Sequence, residues 1–140
     1  MMNLELAEAI LAGARKHARA QNLKPLTIAV LDARGAVRCL INEDGTSLHR
    51  ADVAIGKAYG AISFGQSSRK LGERAETQAY FIAAVTHAAG GKLVPVPGGV
   101  LVRDGEGELL GTIGISGDTS DNDEAAAVAG IEAAGLVAQT

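Results

Sequence analysis

The sequence has few large aromatic side chains: two tyrosines, two phenylalanines and no tryptophan among 140 residues. Hydrophobic residues nevertheless make up 47% of the chain. Small and aliphatic side chains must therefore fill the core of a domain of this length. The 18 glycines and the alanine-rich stretches also allow backbones to approach closely, between helices or across a subunit boundary. We expect one domain, spanning residues 1–140, with a core of small residues.

Cysteine is almost absent as well. The single Cys39 excludes an internal disulfide, and its apolar surroundings favour a buried thiol in a reducing compartment. The first five residues lack the charged-then-apolar pattern of a secretory signal. No apolar run approaches the length of a membrane span. We therefore expect a cytoplasmic protein.

Basic charge is scarce too. The formal net charge is −3, and no block of lysines and arginines occurs. A nucleic-acid-binding protein normally presents a basic patch, and a protein that binds a membrane surface often carries a polybasic segment. We therefore expect neither nucleic acid nor a membrane as a partner.

The apolar residues alternate between helical and strand spacing along the chain. The predicted elements are a helix over 3–21, strands over 26–31 and 36–41, a helix over 49–62, a short helical piece over 69–72, a helix over 76–89, strands over 99–103 and 108–116, and a helix over 119–138. Strands and helices do not alternate throughout, which argues against a parallel doubly wound sheet. The order predicts an α+β fold, with helices packed on an antiparallel sheet.

The acidic segment 118–124 has two interpretations. Thr119 or Ser120 can cap the last helix, and Asp123 or Glu124 can reach back to form a capping box. A metal site made of Asp118, Asp121, Asp123 and Glu124 is the alternative, but a calcium loop alternates its ligands around a central glycine, which this segment lacks. Capping is the favoured interpretation.

None of the glycine patterns supports nucleotide binding or serine catalysis. The run from Gly105 to Gly111 joins two strands instead of opening a helix, which a dinucleotide fingerprint requires. A nucleophile elbow has glycine two residues before and two residues after the serine, and Ser116 lacks the second of these. We interpret these glycines as hairpin and turn residues.

The three histidines, His17, His49 and His87, lack the paired spacing of a zinc or two-histidine iron site. Haem, however, needs only one axial donor and apolar walls. His87 is the most suggestive donor, because it follows Tyr80 by seven residues on one face of a helix. His17 lies at the rim of the first helix's apolar stripe, and His49 could simply cap the second helix. Both methionines lie at the irregular start of the chain, so an axial methionine is not expected.

Lys57 lies within an otherwise apolar helix, next to Gly56. One interpretation is a side chain that snorkels to solvent or forms a salt bridge with an acid nearby, namely Asp32, Glu43 or Asp44. The other is functional: an anchor for a carboxylate or a haem propionate, or a desolvated base with a lowered pKa. The residues alone leave both open.

Several short motifs together resemble the GlcG/HbpS family of haem-degrading or haem-binding proteins, which is related to the C-terminal domain of PduO. They are Ile28–Gly35, Asp44–Gly45, Gly56–Ala58, Gly98–Val100, Gly111–Gly117 and Asp123–Glu124. The resemblance implies a five-stranded antiparallel sheet like that of profilin or PAS domains, a homo-oligomer, and haem or a similar flat cofactor as the ligand. The chain departs from the family pattern after Val100, where a proline usually follows.

Three hypotheses result. The first is a homo-oligomeric small-molecule binding protein. In it His87 or His17 supplies the axial donor to the haem iron, Tyr80 lies on the same helix face as His87, Lys57 anchors a propionate, and backbone N–H groups line the pocket edge at Gly98, Gly99, Ser116 and Gly117. The second is a small catabolic enzyme of the isomerase or lyase type, which moves protons on a carboxylate or carbonyl compound with Lys57 and Asp32 as acid and base. The third is a structural oligomer without a small ligand.

Overall fold

The computed structural model describes all residues from 1 to 140 as five helices and five strands. The elements are α1 (Leu4–Ala20), β1 (Thr27–Asp32), β2 (Val37–Asn42), α2 (Arg50–Phe64), α3 (Ser68–Thr77), α4 (Ala79–Ala88), β3 (Gly99–Arg103), β4 (Leu109–Ser116), α5 (Ser120–Ala133) and β5 (Val137–Gln139). The predicted α+β class with an antiparallel sheet is confirmed. No helix combines the length and the apolar character needed to cross a membrane.

The strands form one sheet in the order β2-β1-β4-β3-β5, and every neighbouring pair is antiparallel. Thr27 pairs with Ser116 at one end of β1, and Asp32 pairs with Gly111 at the other end. The β1–β2 turn and the β3–β4 turn therefore lie at the same end of the sheet.

Alternating side chains divide each central strand between two helical layers. Ile28, Val30 and the equivalent residues of β3 and β4 pack against the buried face of α1 and against α5 in the main core. Ala29 and Leu31 point to the other side and pack against Ala54 and Ala58 of α2. Small residues do fill much of this core, as the composition predicts.

The last helix is shorter than predicted. It ends at Ala133, and Gly135 (φ +77°) turns the chain so that Val137–Gln139 pairs with β3 as a fifth strand. The prediction of helix to residue 138 was wrong there, because a three-residue edge strand is too short to show a period of its own.

Two other local predictions also need correction. The short helical piece over 69–72 is a full helix that reaches Thr77, and α4 consequently begins only at Ala79. Met2 precedes α1 in irregular backbone, as expected, but it is not a loose end of the chain, since it is 2% exposed and packs in the main core. Met1 is 95% exposed.

Candidate functional site

Lys57 is buried inside the protein, where its side chain is 2% exposed. Its ammonium donates to the carbonyl of Ile115 at 2.8 Å and to Oδ2 of Asp123 at 3.2 Å. Asp123 is itself 1% exposed. These bonds connect α2, which lies on one side of the sheet, to strand β4 and to the first turn of α5, which lies on the other side.

Two glycines at the start of β3 make room for this lysine. A Cβ atom at Gly98 would lie 2.8 Å from Cδ and 2.9 Å from Nζ of Lys57, and a Cβ atom at Gly99 would overlap the backbone carbonyl of Lys57. Any larger residue would therefore displace α2 or the lysine side chain. Gly98 and Gly99 thus lie beside Lys57, although none of the three residues lines a surface cavity.

The polar groups around Lys57 bond to one another. The N–H of Gly99 donates to Oγ of Ser68 at 2.7 Å, and the N–H of Gly117 donates to Oδ2 of Asp123 at 3.3 Å. Oγ of Ser116 accepts from the Arg50 guanidinium at 3.0 Å. Lys57 lines none of the three surface cavities. Lys57 and Asp123 are thus closed off from these cavities and internally satisfied, whereas Arg50 and Gly117 at the edge of the cluster line the third cavity.

Burial shifts both members of the pair toward their neutral forms. Desolvation lowers the pKa of Lys57, and the neighbouring Asp123 carboxylate only partly offsets this effect. Desolvation likewise raises the pKa of Asp123, against the opposing influence of Lys57 and of the N–H groups of Asp118 and Gly117. Each charge is therefore stable in the interior only because the other is present.

The expected partners of Lys57 were wrong. Glu43 binds Arg15 and Arg19 instead. Asp123, which the sequence analysis had considered for capping or for a metal site, binds the lysine. Capping itself is observed, because Oγ1 of Thr119 accepts from the N–H of Asn122. The sequence offered one signal: a lysine within an apolar helix requires a counter-charge. That signal does not identify which acidic residue supplies the charge.

The acidic residues before and in α5 do not converge on a metal. Asp121 and Glu124 bind the guanidinium of Arg69, and Asp118 accepts from the N–H groups of Lys24 and Thr119. No group of three or more His, Cys, Asp or Glu side chains has the arrangement of a metal site.

Asp32 closes the β1–β2 turn. Its carboxylate accepts from the N–H groups of Arg34 at 2.9 Å and Ala36 at 3.1 Å, and from the Arg34 guanidinium at 3.3 Å. Burial alone would raise the pKa of Asp32, but these hydrogen bonds outweigh it and hold the pKa below its ordinary value. A carboxylate stabilised in its charged form is a weak base.

The structure does not bring Asp32 and Lys57 together. Asp32 pairs with Gly111, whereas Lys57 bonds to Ile115, four residues further along β4. Four residues of strand span about 13 Å. The acid and base of the second hypothesis therefore lie toward opposite ends of the sheet.

The face of α4 that contains Tyr80, Ala83, Ala84 and His87 is exposed to solvent, and we call it the α4 face. These residues recur at spacings of three and four, so they share one side of the helix. Tyr80 is 75% exposed, and Ile82 is the only buried residue of α4. The helix packs on α3 through a small separate cluster. A largely apolar helix thus exposes most of its surface.

The other two histidines have different surroundings. His17 is half-buried on α1. His49 precedes α2 at its N-cap position but makes no capping hydrogen bond, and its exposed ring lies 3.3 Å from Asp52. The candidate axial donors therefore lie on α1 and α4, and the closed cluster around Lys57 is built from other elements. The donor candidates and Lys57, which the first hypothesis placed around one ligand, therefore lie on different elements.

Sequence comparison decides the family. The family model of haem-degrading HbpS-like proteins matches residues 2–132 of the sequence, which is most of the chain. The chain belongs to this HbpS-like family. A search of curated protein sequences finds no significant match.

Solved structures agree with this HbpS-like assignment. A crystal structure of a PduOC–heme complex has a TM-score of 0.87 at 21% identity, and the match covers 99% of both chains. Protein ORFY of Klebsiella pneumoniae gives a TM-score of 0.85 at 20% identity, covering 96% of this chain and 90% of ORFY. A double mutant of HbpS from Streptomyces reticuli gives 0.79 at 26% identity, covering 94% of this chain and 85% of HbpS. The resemblance to the GlcG/HbpS family and to PduO is therefore confirmed.

Proposed function

We propose that this HbpS-like protein binds haem, or a similar flat cofactor, as a homo-oligomer, with the ligand held on the α4 face. The observation that carries the proposal is the exposure of this apolar helix with a histidine at its end. A helix that is apolar on most sides is normally buried. The α4 face must therefore be covered by a ligand, a subunit or both.

The composition of the α4 face suits a porphyrin. Haem iron requires one axial donor, and the ring requires apolar walls. His87 supplies an exposed imidazole, and Ala83 and Ala84 leave a shallow surface one turn before it on which a flat ring can rest. Tyr80 adds an aromatic side chain at the far end of the same stripe.

A second copy of the chain would complete the binding site. The protein has four aromatic residues in total, and the α4 face presents only one of them, which is too little to enclose a porphyrin. The same face on a partner subunit would supply the opposite wall and cover the exposed apolar surface of α4. Exposed apolar patches of this kind commonly mark interfaces.

The family supports the ligand class. HbpS-like proteins are described as haem-degrading, and the related PduOC was crystallised with heme. We accordingly assign the closed cluster around Lys57, with Gly98, Gly99, Ser116 and Gly117, to holding the fold together and not to anchoring a propionate. His17, half-buried on α1, is the second candidate donor.

A haemin titration of the apo-protein, followed by absorbance, tests the proposal. We expect a saturable Soret shift for the wild type and for His49→Ala, whose exposed imidazole serves as the matched control. His87→Ala should abolish the shift or move it to that of a differently ligated haem. Loss with His17→Ala alone would move the site to α1. A featureless titration in every variant would contradict haem binding.

Light scattering after size-exclusion chromatography tests the oligomer. We expect a particle several times the 14.2 kDa mass of one chain. Ala84→Glu places a charge in the α4 face and should reduce the particle to monomers, whereas Ala9→Glu on the exposed side of α1 should not. A monomeric wild type would refute the oligomer and leave α4 uncovered.

A further inference from the structure

A cavity of about 430 Å³ opens at the end of the sheet where the β1–β2 and β3–β4 turns meet the start of α1. Its walls include Met2, Leu109 and Leu110, and apolar atoms form most of its lining. Met2 and Leu110 are buried core residues, so these walls are fixed by packing. The volume lies within the range of small-molecule sites, and none of the axial-donor candidates lines the cavity.

Two guanidinium groups lie on one side of this cavity, beside the carboxylate of Asp32. Arg34 donates to Asp32 at 3.3 Å. Arg38 reaches only 3.9 Å from the same carboxylate and makes no hydrogen bond with its side chain. The Arg38 side chain is 36% exposed, so it contacts both solvent and the cavity. Its planar set of N–H donors lies beside the cavity with a long ion pair to Asp32 and no hydrogen bond to the protein.

The negative charges nearby leave the Arg38 donors without a hydrogen bond. The Asp32 carboxylate already accepts hydrogen bonds from backbone N–H groups of its own turn. These bonds hold it in place, where its negative charge attracts both arginines. Glu108 also lines the cavity and forms no ion pair with either arginine, since the pairs of Arg34 and Arg38 are both to Asp32. An incoming carboxylate would find the Arg38 donors free of hydrogen bonds to the protein, with only the 3.9 Å ion pair to Asp32 as a competitor.

We propose that this cavity is a second ligand site, for a small monocarboxylate with an apolar tail. The carboxylate accepts a bidentate pair of hydrogen bonds from Arg38, which the guanidinium geometry favours. The tail lies against Met2, Leu109 and Leu110. The site is separate from the α4 face and does not depend on haem binding.

The probe is octanoate, with 1-octanol as the matched ligand that lacks the charge and acetate as the one that lacks the tail. Binding is followed by ¹⁵N–¹H chemical-shift mapping and by calorimetry. Any affinity tag is placed after Thr140, because Met1 also lines the cavity. We expect saturable binding of octanoate with shifts centred on the β1–β2 turn and on Leu109 and Leu110. Octanol and acetate should bind at least tenfold more weakly.

Three variants test the assignment. Arg38→Ala should weaken octanoate about tenfold or more, since it removes a charge-assisted hydrogen-bonding pair. Arg15→Ala, which removes a similarly exposed arginine on α1, should leave the affinity unchanged. Ala33→Phe, at the exposed turn that lines the cavity, should block the tail while it keeps both arginines.

Several results would overturn the proposal. They are the absence of octanoate binding, equal binding of octanol, shifts centred on α4 instead of the cavity, and an unchanged affinity in Arg38→Ala. Each variant's far-UV circular dichroism and melting temperature show whether it remains folded, and Ala33→Phe supplies an independent answer if Arg38→Ala does not.

Discussion

Replacing Lys57 by methionine removes the charge from the buried pair and keeps most of the side-chain volume. The structure then leaves the Asp123 carboxylate at 1% exposure, with the N–H groups of Gly117 and Asp118 as its remaining donors. An uncompensated buried charge costs about 3–5 kcal/mol. Domains of this size unfold with about 5–15 kcal/mol, so the loss is a large part of the total.

The same reasoning predicts how the loss of unfolding free energy in Lys57→Met depends on pH. Burial raises the pKa of Asp123, and without Lys57 that effect is no longer opposed by the ammonium. A group with a raised folded-state pKa stabilises the fold below its unfolded pKa, and this contribution is lost as the pH rises through the folded value. The Lys57→Met deficit should therefore shrink as the medium becomes acidic, because Asp123 takes up a proton.

Urea unfolding followed by far-UV circular dichroism is the suitable assay, since the chain has no tryptophan. We expect Lys57→Met to lower the free energy of unfolding by about 3–5 kcal/mol and the melting temperature by about 10 °C. The double variant Lys57→Met with Asp123→Leu should recover part of that loss, because no charge stays buried. A loss below about 1 kcal/mol, or a double variant as unstable as the sum of both single variants, would refute the paired burial.

Two further predictions concern single residues. Gly114→Ala would push a Cβ atom into the backbone carbonyl of Ala54 and to 2.9 Å from Cβ of Ala58. We therefore expect urea unfolding to show a loss of about 3 kcal/mol in the free energy of unfolding. The control is Gly105→Ala, whose Cβ atom meets open space and should leave the stability unchanged. Hydrogen bonds from Lys24, Asn122 and Thr119 lower the pKa of Asp118 to about 2, which stabilises the fold above the unfolded pKa near 3.8. Asp118→Asn should therefore lose about 1 kcal/mol at neutral pH, discounted for exposure; this deficit should vanish as the pH falls toward 2, and a constant deficit would contradict it.

The layered fold could be predicted because its signals are local. Helical spacing identified the long helices, and short runs of β-branched and apolar residues bounded by turn residues identified β1 to β4. The central strands read as continuous apolar runs because both of their faces are buried. The fifth strand could not be found in this way. Val137–Gln139 follows an alanine-rich helix and is defined as a strand by its pairing with β3, a contact between residues far apart in the chain.

The candidate site was harder to predict than the fold. The first hypothesis assigned Lys57, Gly98 and Gly99 to one ligand pocket, and the three residues lie side by side. The partner of Lys57 was missed because Asp123 lies 66 residues away and also fits a local capping pattern. The spacing of α4 indicates a helix and places Tyr80 and His87 on one face. It does not reveal that this face points outward, which depends on α4 packing on α3 alone.

The position of the haem iron tests the central claim most directly. Ferric haem is paramagnetic, so in a ¹⁵N–¹H correlation spectrum of the wild-type protein with haemin it broadens the signals of nearby amides. The account predicts broadening centred on Ala83, Ala84 and His87. Broadening centred on α1 around His17, or a spectrum that haemin leaves unchanged, would contradict it.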